Sequence, residues 1–135
     1  MSARGKARKR ALDLLYASEM RAESAVVALD RAIEAGEGPT NDYTDRLVRG
    51  VVENQSRIDE LLSTYSEGWT LGRMPAVDRN VLRIGVYELL YVDDVPDAVA
   101  VSEAISLVRD LSTDESPTFV NGILGAIEKA KPSTV

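Results

Sequence analysis

The sequence predicts an all-α fold, a compact bundle of six or seven helices. Three observations carry this. Apolar residues recur at steps of three and four along most of the 135 residues. The strict alternation of a half-buried strand is nearly absent. The periodic runs are joined by short connectors, with no repeat and no low-complexity segment.

Each element has its own warrant. Residues 3–20 place Ala7, Ala11, Leu14, Leu15 and Tyr16 at helical spacing. Ser24 is a candidate cap for a second helix through Ala35, with Val26, Val27, Leu29 and Ile33 as its apolar side. Gly36, Glu37, Gly38 and Pro39 stop it. The pattern reopens at 40–42 and runs through Leu47, Val48, Val51, Val52, Ile58, Leu61, Leu62 and Tyr65. That length fits two helices, broken where Asn54, Gln55 and Ser56 interrupt the stripe. Residues 68–75 read as a connector with Trp69 and Leu71 tucked beneath it, and Pro75 suits the first turn of the next helix.

Residues 76–91 are apolar on nearly every side, as expected of a buried central helix. Asp93-Asp94-Val95-Pro96 breaks it. Residues 97–111 carry a one-sided stripe of Val101, Ala104, Ile105, Val108 and Leu111. Ser112-Thr113-Asp114-Glu115 reads as a capping box, with Pro117 just inside the following helix. Phe119, Val120, Ile123, Leu124 and Ile127 form that helix's core face, and Gly122 and Gly125 read as marks of close packing. Lys129 and Lys131 suit its C-terminal end, which Pro132 closes.

By size the chain is one domain with enough residues to bury a real core. It has no cysteine and no histidine, which excludes disulfides, thiolate or imidazole metal sites, Ser-His-Asp triads and Cys-His pairs. No apolar run approaches a membrane span. The basic start is followed by Asp13, Glu19 and Arg21, not by a signal peptide's apolar stretch, which points to the cytoplasm. The acid pairs Asp93-Asp94 and Asp114-Glu115 lie at helix junctions. Capping explains them better than acid–base work or a Mg²⁺ site. There is no glycine-rich phosphate loop. The chain reads as non-catalytic, with no cofactor and no metal.

Charge is the informative signal. Five of the sixteen bases (Arg4, Lys6, Arg8, Lys9 and Arg10) fall in the first ten residues, which hold none of the twenty-two acids. A head of +5 thus sits on a body of −11, within a net charge of −6. Most of such a surface repels nucleic acid, and the head is one local site for phosphate. Basic residues at a helix N-terminus also oppose the macrodipole, so they forgo stabilisation that acids would give. Tyr16 shares this first helix, and Phe119 follows a loop-like segment. Helical aromatics usually face inward, so by pattern alone both belong to the core.

Two segments resemble a known family. Val81-Leu82-Arg83-Ile84 through Tyr87-Glu88-Leu89, Asp94-Val95-Pro96, Glu103-Ala104, Ser116 and Phe119-Val120-Asn121-Gly122 resemble the signature run of the NusB transcription antitermination factors. Ala7-Arg8-Lys9-Arg10-Ala11, followed by Leu15-Tyr16, resembles that family's arginine-rich motif. The resemblance spans essentially the whole chain and is strongest from Pro75 to Ile127.

It implies a single RNA-binding domain of two small helical subdomains, here about 1–67 and 75–131. It implies binding to single-stranded boxA RNA of nascent ribosomal transcripts, together with NusE, a small-subunit ribosomal protein. The complex joins the RNA polymerase elongation complex and suppresses premature termination. Residue by residue, Arg4, Lys6, Arg8, Lys9 and Arg10 match the arginine-rich motif. Tyr16, Glu115, Ser116 and Phe119 match positions at the RNA surface, and Asp78 matches an acidic position on the NusE-facing side. Tyr16 and Phe119 thereby move from core to RNA surface. Gly5, Pro117 and Thr118 depart from the pattern and remove contacts, which makes NusE the expected completion of the site. Relatives occur as monomers and dimers, so a homodimer stays open.

Two other readings compete. One is an RNA-binding domain detached from an rRNA cytosine methyltransferase, disfavoured by the Met1 start and the 132–135 tail. The other is a helical protein–protein adaptor whose basic head is idle.

Overall fold

The computed structural model describes residues 2–39 and 41–131. Thr40, where the third helical pattern was expected to reopen, and Pro132, expected to close the last helix, lie outside them. Among the described residues the chain is helical, with seven α-helices and one 3-10 turn and no strand. It divides into two compact units, Met1–Asn54 and Gln55–Val135.

The first unit holds α1 (Ala3–Met20), α2 (Ala25–Glu34) and α3 (Asp42–Glu53). Ser2 caps α1 by accepting the Gly5 amide at 3.0 Å. Ser24 caps α2 as expected, through the Val27 amide at 3.5 Å. Asn41 caps α3 by accepting the Tyr43 amide at 2.8 Å, and Asp42 and Asp45 place negative charge in its first turn. Ala7, Ala11, Leu12 and Leu15 of α1 meet Leu47, Val48 and Val51 of α3 in the core. The apolar side of α2 is narrower than its sequence implies. Ala25 and Leu29 are buried, whereas Val27 and Ile33 are exposed. A helix with one covered stripe has room for two anchors in ten residues, and Val27 and Ile33 lie off that stripe. Arg49 of α3 bridges Asp30 of α2 and Asp45 of its own helix, and these two acids raise its pKa further.

The second unit holds α4 (Gln55–Tyr65), a 3-10 turn (Leu71–Arg73), α5 (Ala76–Tyr91), α6 (Asp97–Leu111) and α7 (Ser116–Ala130). The break between α3 and α4 falls at Asn54, as the polar interruption indicates. Although the sequence groups α4 with the N-terminal half, α4 packs on α5 and α7. Arg83 of α5 forks onto the Asp59 carboxylate of α4 at 2.9 and 3.1 Å, a half-buried bidentate pair.

The central position of α5 follows from its composition, with ten buried residues in sixteen. Leu82, Val86 and Leu124 are wholly buried and each contributes about 1.5–3 kcal/mol. Close approach of α7 to α5 occurs at Gly85, where an added Cβ would lie 2.8 Å from Leu124 Cδ1. Gly122 and Gly125 were expected to mark that packing, but a Cβ on either meets nothing within 4 Å. They face away from the helices they were expected to touch. Lys131 Nζ, just past α7, pairs with Asp97 at the start of α6 at 3.0 Å.

Candidate nucleic-acid interface

The basic head is folded as the first two turns of α1, although no acid in its first turn supports it. Part of its support comes from α3. Asn41 Nδ2 donates to the Ala3 carbonyl at 3.3 Å, and Thr44 Oγ1 donates to the Ala7 carbonyl at 3.1 Å. Between these bonds stands Tyr43. The Arg4 guanidinium lies 4.3 Å and that of Arg8 5.7 Å from the centre of its ring. Both distances are within the range of cation–π attraction.

The five bases therefore differ in availability. Arg8 is only 3% exposed, on the inner side of the helix. Arg4 is half-buried over Tyr43. Lys9 Nζ bonds both Asp13 oxygens at 2.8 Å, a pair four residues apart that offsets its charge. Lys6 and Arg10 are exposed, and among the described residues Arg10 reaches only the Glu37 carbonyl, at 3.4 Å. Gly5, which interrupts the basic run, is buried, so the missing side chain is on the inner face. Tyr16 is 39% exposed and lies nearly two turns beyond Arg10 on α1.

In the second unit, Asp78, Ser116 and Phe119 come together, and Glu115 stands beside them at the rim of one groove. Ser116 is 1% and Asp78 2% exposed. The Asp78 carboxylate accepts the Ser112 hydroxyl at 2.6 Å and the Ser116 hydroxyl at 2.9 Å. Ser116 Oγ also accepts the Thr113 amide at 3.2 Å and lies 2.8 Å from Thr113 Oγ1. The start of α7 is thus tied by a reciprocal Thr113–Ser116 pair. The expected box ending on Glu115 does not form, since the Glu115 side chain makes no cap bond. The register is displaced by one because the buried carboxylate of Asp78 recruits the serine hydroxyls. Asp78 and Ser116 lie behind the surface; Glu115 lies on it.

Phe119 is half-buried and meets Trp69 edge to face, with ring centres 5.9 Å apart. Trp69 is not tucked under the connector, since 53% of it is exposed. Its backbone is fixed by Ser66, whose Oγ donates to the Trp69 carbonyl at 2.6 Å. Left-handed Glu67 and Gly68, at φ 48° and 92°, turn the chain outward just before it. Met74 takes the buried place beneath the connector instead. Two grooves of about 270 and 260 Å³ flank the ring pair, and both are lined by Trp69 and Phe119. Glu67 borders one and Glu115 the other.

Tyr43, Asn41, Thr44 and Trp69 are the residues of these sites that sequence reasoning missed. The signal for Tyr43 is weak: an aromatic one turn before Leu47 reads as ordinary core. For Trp69, the Ser-Glu-Gly turn just before it is the available clue.

Residues 5–129 match the family model described as NusB family. The chain is 78% identical over 133 residues to the transcription antitermination protein NusB of Nocardioides sp., covering 98% of both chains. It superposes on NusB of T. maritima with a TM-score of 0.83 at 38% identity, over 95% of this chain and 92% of that one. It also resembles the NusB of a crystal structure of antitermination factors NusB and NusE in complex with dsRNA. There the TM-score is 0.81 at 28% identity, over 95% and 97% of the two chains. With the helical order, the capped basic helix and these matches in agreement, the chain belongs to the NusB family of transcription antitermination proteins.

Proposed function

We propose that this chain binds single-stranded boxA RNA of nascent ribosomal transcripts together with NusE. In the cytoplasm the assembly then joins the RNA polymerase elongation complex and suppresses premature termination. The observation that carries the reading is the pair of outward bases, Lys6 and Arg10, on a preformed helix of an otherwise acidic chain. Phosphates settle where positive charge is concentrated and release counterions there. Trp69 and Phe119 supply exposed ring surface for unpaired bases, which stack without regard to sequence. The acids near those rings favour bases over phosphates in that place.

Arg4 and Arg8 contribute field from behind the surface, and Asp78 and Ser116 hold the starts of α5 and α7 in place. NusE is the named companion of the NusB in the solved complex. As a ribosomal protein it is expected to be basic, which suits this acidic body. The helical adaptor reading is disfavoured by the exposed positions of Lys6 and Arg10, of which Arg10 makes only a long bond to the Glu37 carbonyl among the described residues.

The test is binding to boxA RNA, a scrambled strand and a duplex, each with and without NusE, across salt. Selective binding to the boxA strand that NusE strengthens is the expected result. With about four phosphates neutralised the slope of log K against log salt is about −3. Equal weak binding to all three RNAs in every condition overturns the reading.

A further inference from the structure

The first turn of α5 carries two consecutive charged residues that serve different neighbours. Asp78 accepts the Ser112 and Ser116 hydroxyls and so fixes the start of α7. Arg79 Nη1 donates to the Leu71 carbonyl at 2.9 Å and to the Met74 carbonyl at 3.0 Å. Leu71 opens the 3-10 turn that follows Trp69, and Met74 caps its far end. Consecutive helical residues point about 100° apart, so one turn of α5 reaches both segments. A base in a helix's first turn opposes the macrodipole. Arg79 is half-buried there, and what the position offers it is two charge-assisted bonds to carbonyls.

The segment held by Arg79 carries Trp69. Upstream, the Trp69 amide donates to the Ser66 carbonyl at 3.2 Å, beside the Ser66 hydroxyl bond to the Trp69 carbonyl. Downstream, the Met74 amide donates at 3.2 Å to the same Leu71 carbonyl that Arg79 holds. The indole is thus largely exposed on a backbone bonded at both ends. Its edge-to-face partner, Phe119, lies one helical turn after Ser116, which Asp78 holds. Rings fixed in advance need little ordering when a ligand meets them.

We infer that Asp78 and Arg79 are the positioning residues of the Trp69–Phe119 pair. Arg79 sets the indole through the 3-10 turn. Asp78 sets the phenyl ring through Ser116. Together they keep the rings edge to face, ready for a nucleobase. The inference rests on the reading that unpaired bases stack on these rings, and it adds what prepares the rings. Neither residue acts by touching RNA: Asp78 is covered, and the Arg79 guanidinium is turned to backbone carbonyls.

The test replaces Phe119, the chain's one phenylalanine, with 4-fluorophenylalanine in the full chain and follows its fluorine resonance. The ring current of the neighbouring indole shifts that resonance, and Trp69→Ala gives its position without the indole. Arg79→Gln and Asp78→Asn should each move or broaden the resonance toward that position. Where Asp78→Asn fails to fold, Ser116→Ala takes its place. Arg109→Gln, an equal charge change at an exposed site on α6, should leave the resonance in place. Binding to single-stranded boxA RNA in the presence of NusE is measured in parallel on folded, unlabelled protein. Arg79→Gln should weaken it about threefold to tenfold, as pre-ordering of the indole is lost. The salt slope should not change, and the effect should vanish in a Trp69→Ala background.

If Arg79→Gln, Asp78→Asn or Trp69→Ala leaves the resonance unmoved, or Arg109→Gln moves it as far, the inference is overturned while the RNA reading stands. A binding loss in Arg79→Gln that persists without Trp69, or that lowers the salt slope, makes Arg79 a direct phosphate contact and overturns it as well. If Trp69→Ala binds the RNA as the parent does, the stacking reading falls and the inference falls with it.

Discussion

The Arg4 guanidinium lies over the Tyr43 ring, 4.3 Å from its centre, so the first turn of α1 is held by a side chain of α3. Replacing the ring should loosen that turn before anything else. Tyr43→Leu is expected to cost about 1–2 kcal/mol of stability through lost packing and cation–π attraction. Amide hydrogen exchange should rise at residues 5–8 and stay unchanged in α5. Uniform loosening throughout the first unit would show that Tyr43 acts as core filling and does not order the basic helix.

The ring pair and the bases should separate by salt. Trp69→Ala and Phe119→Ala remove stacking, worth about 1–3 kcal/mol per base, and leave the salt slope of RNA binding unchanged. Lys6→Ala removes a phosphate contact and lowers the slope by about 0.7. Because Trp69 is largely exposed, its loss should leave the fold almost intact. A slope that changes with Trp69→Ala would contradict this division of labour.

The buried carboxylate of Asp78 serves two serine hydroxyls. Asp78→Ala leaves both without their acceptor and should cost about 3 kcal/mol. Ser116→Ala removes one of the two bonds to Asp78 and also the acceptor of the Thr113 amide, and should cost about 1–3 kcal/mol. Urea denaturation measures both. Because Asp78 is covered, Asp78→Asn should alter NusE affinity by less than about twofold. A larger loss in a variant that still folds would place Asp78 in direct contact with the partner.

The glycines of the second unit should respond in opposite directions. Gly85→Ala drives a methyl into the wholly buried Leu124 and should cost about 1–3 kcal/mol. Gly122→Ala and Gly125→Ala meet open space and should gain up to about 1 kcal/mol each from helix propensity. Thermal melts of the three variants decide it. Adding Leu124→Val to Gly85→Ala should recover part of the loss.

Association with NusE should slow as ionic strength rises, because an acidic body steers a basic partner. Stopped-flow rates at several salt concentrations measure this. A rate insensitive to salt would mean that charge plays no part in the encounter.

Helix number, order and most boundaries were legible because the apolar period, the cap at Ser24 and the proline in the first turn of α7 are local signals. The central place of α5 was legible from its all-round apolar character. Orientation within a helix was less so. Val27 and Ile33 read as core yet are exposed, since which stripe is covered depends on the neighbouring helix. The close approach falls at Gly85 and not at Gly122 or Gly125, because spacing within one helix says nothing of where the next helix crosses. The basic cluster was plain in the sequence. Its division into inward Arg8, ring-held Arg4, Asp13-paired Lys9 and outward Lys6 and Arg10 depends on α3 and on side-chain direction, which no linear pattern encodes.

Trp69 is the chain's sole tryptophan, and it is held half in water against Phe119. The molecule thereby carries its own optical reporter, sited in the second unit. A strand that reaches the rings should quench or shift its emission. A strand held only by Lys6 and Arg10 of the first unit has no indole in that unit to report it. One titration followed by both fluorescence and anisotropy thus distinguishes a bound strand that reaches the rings from one that does not.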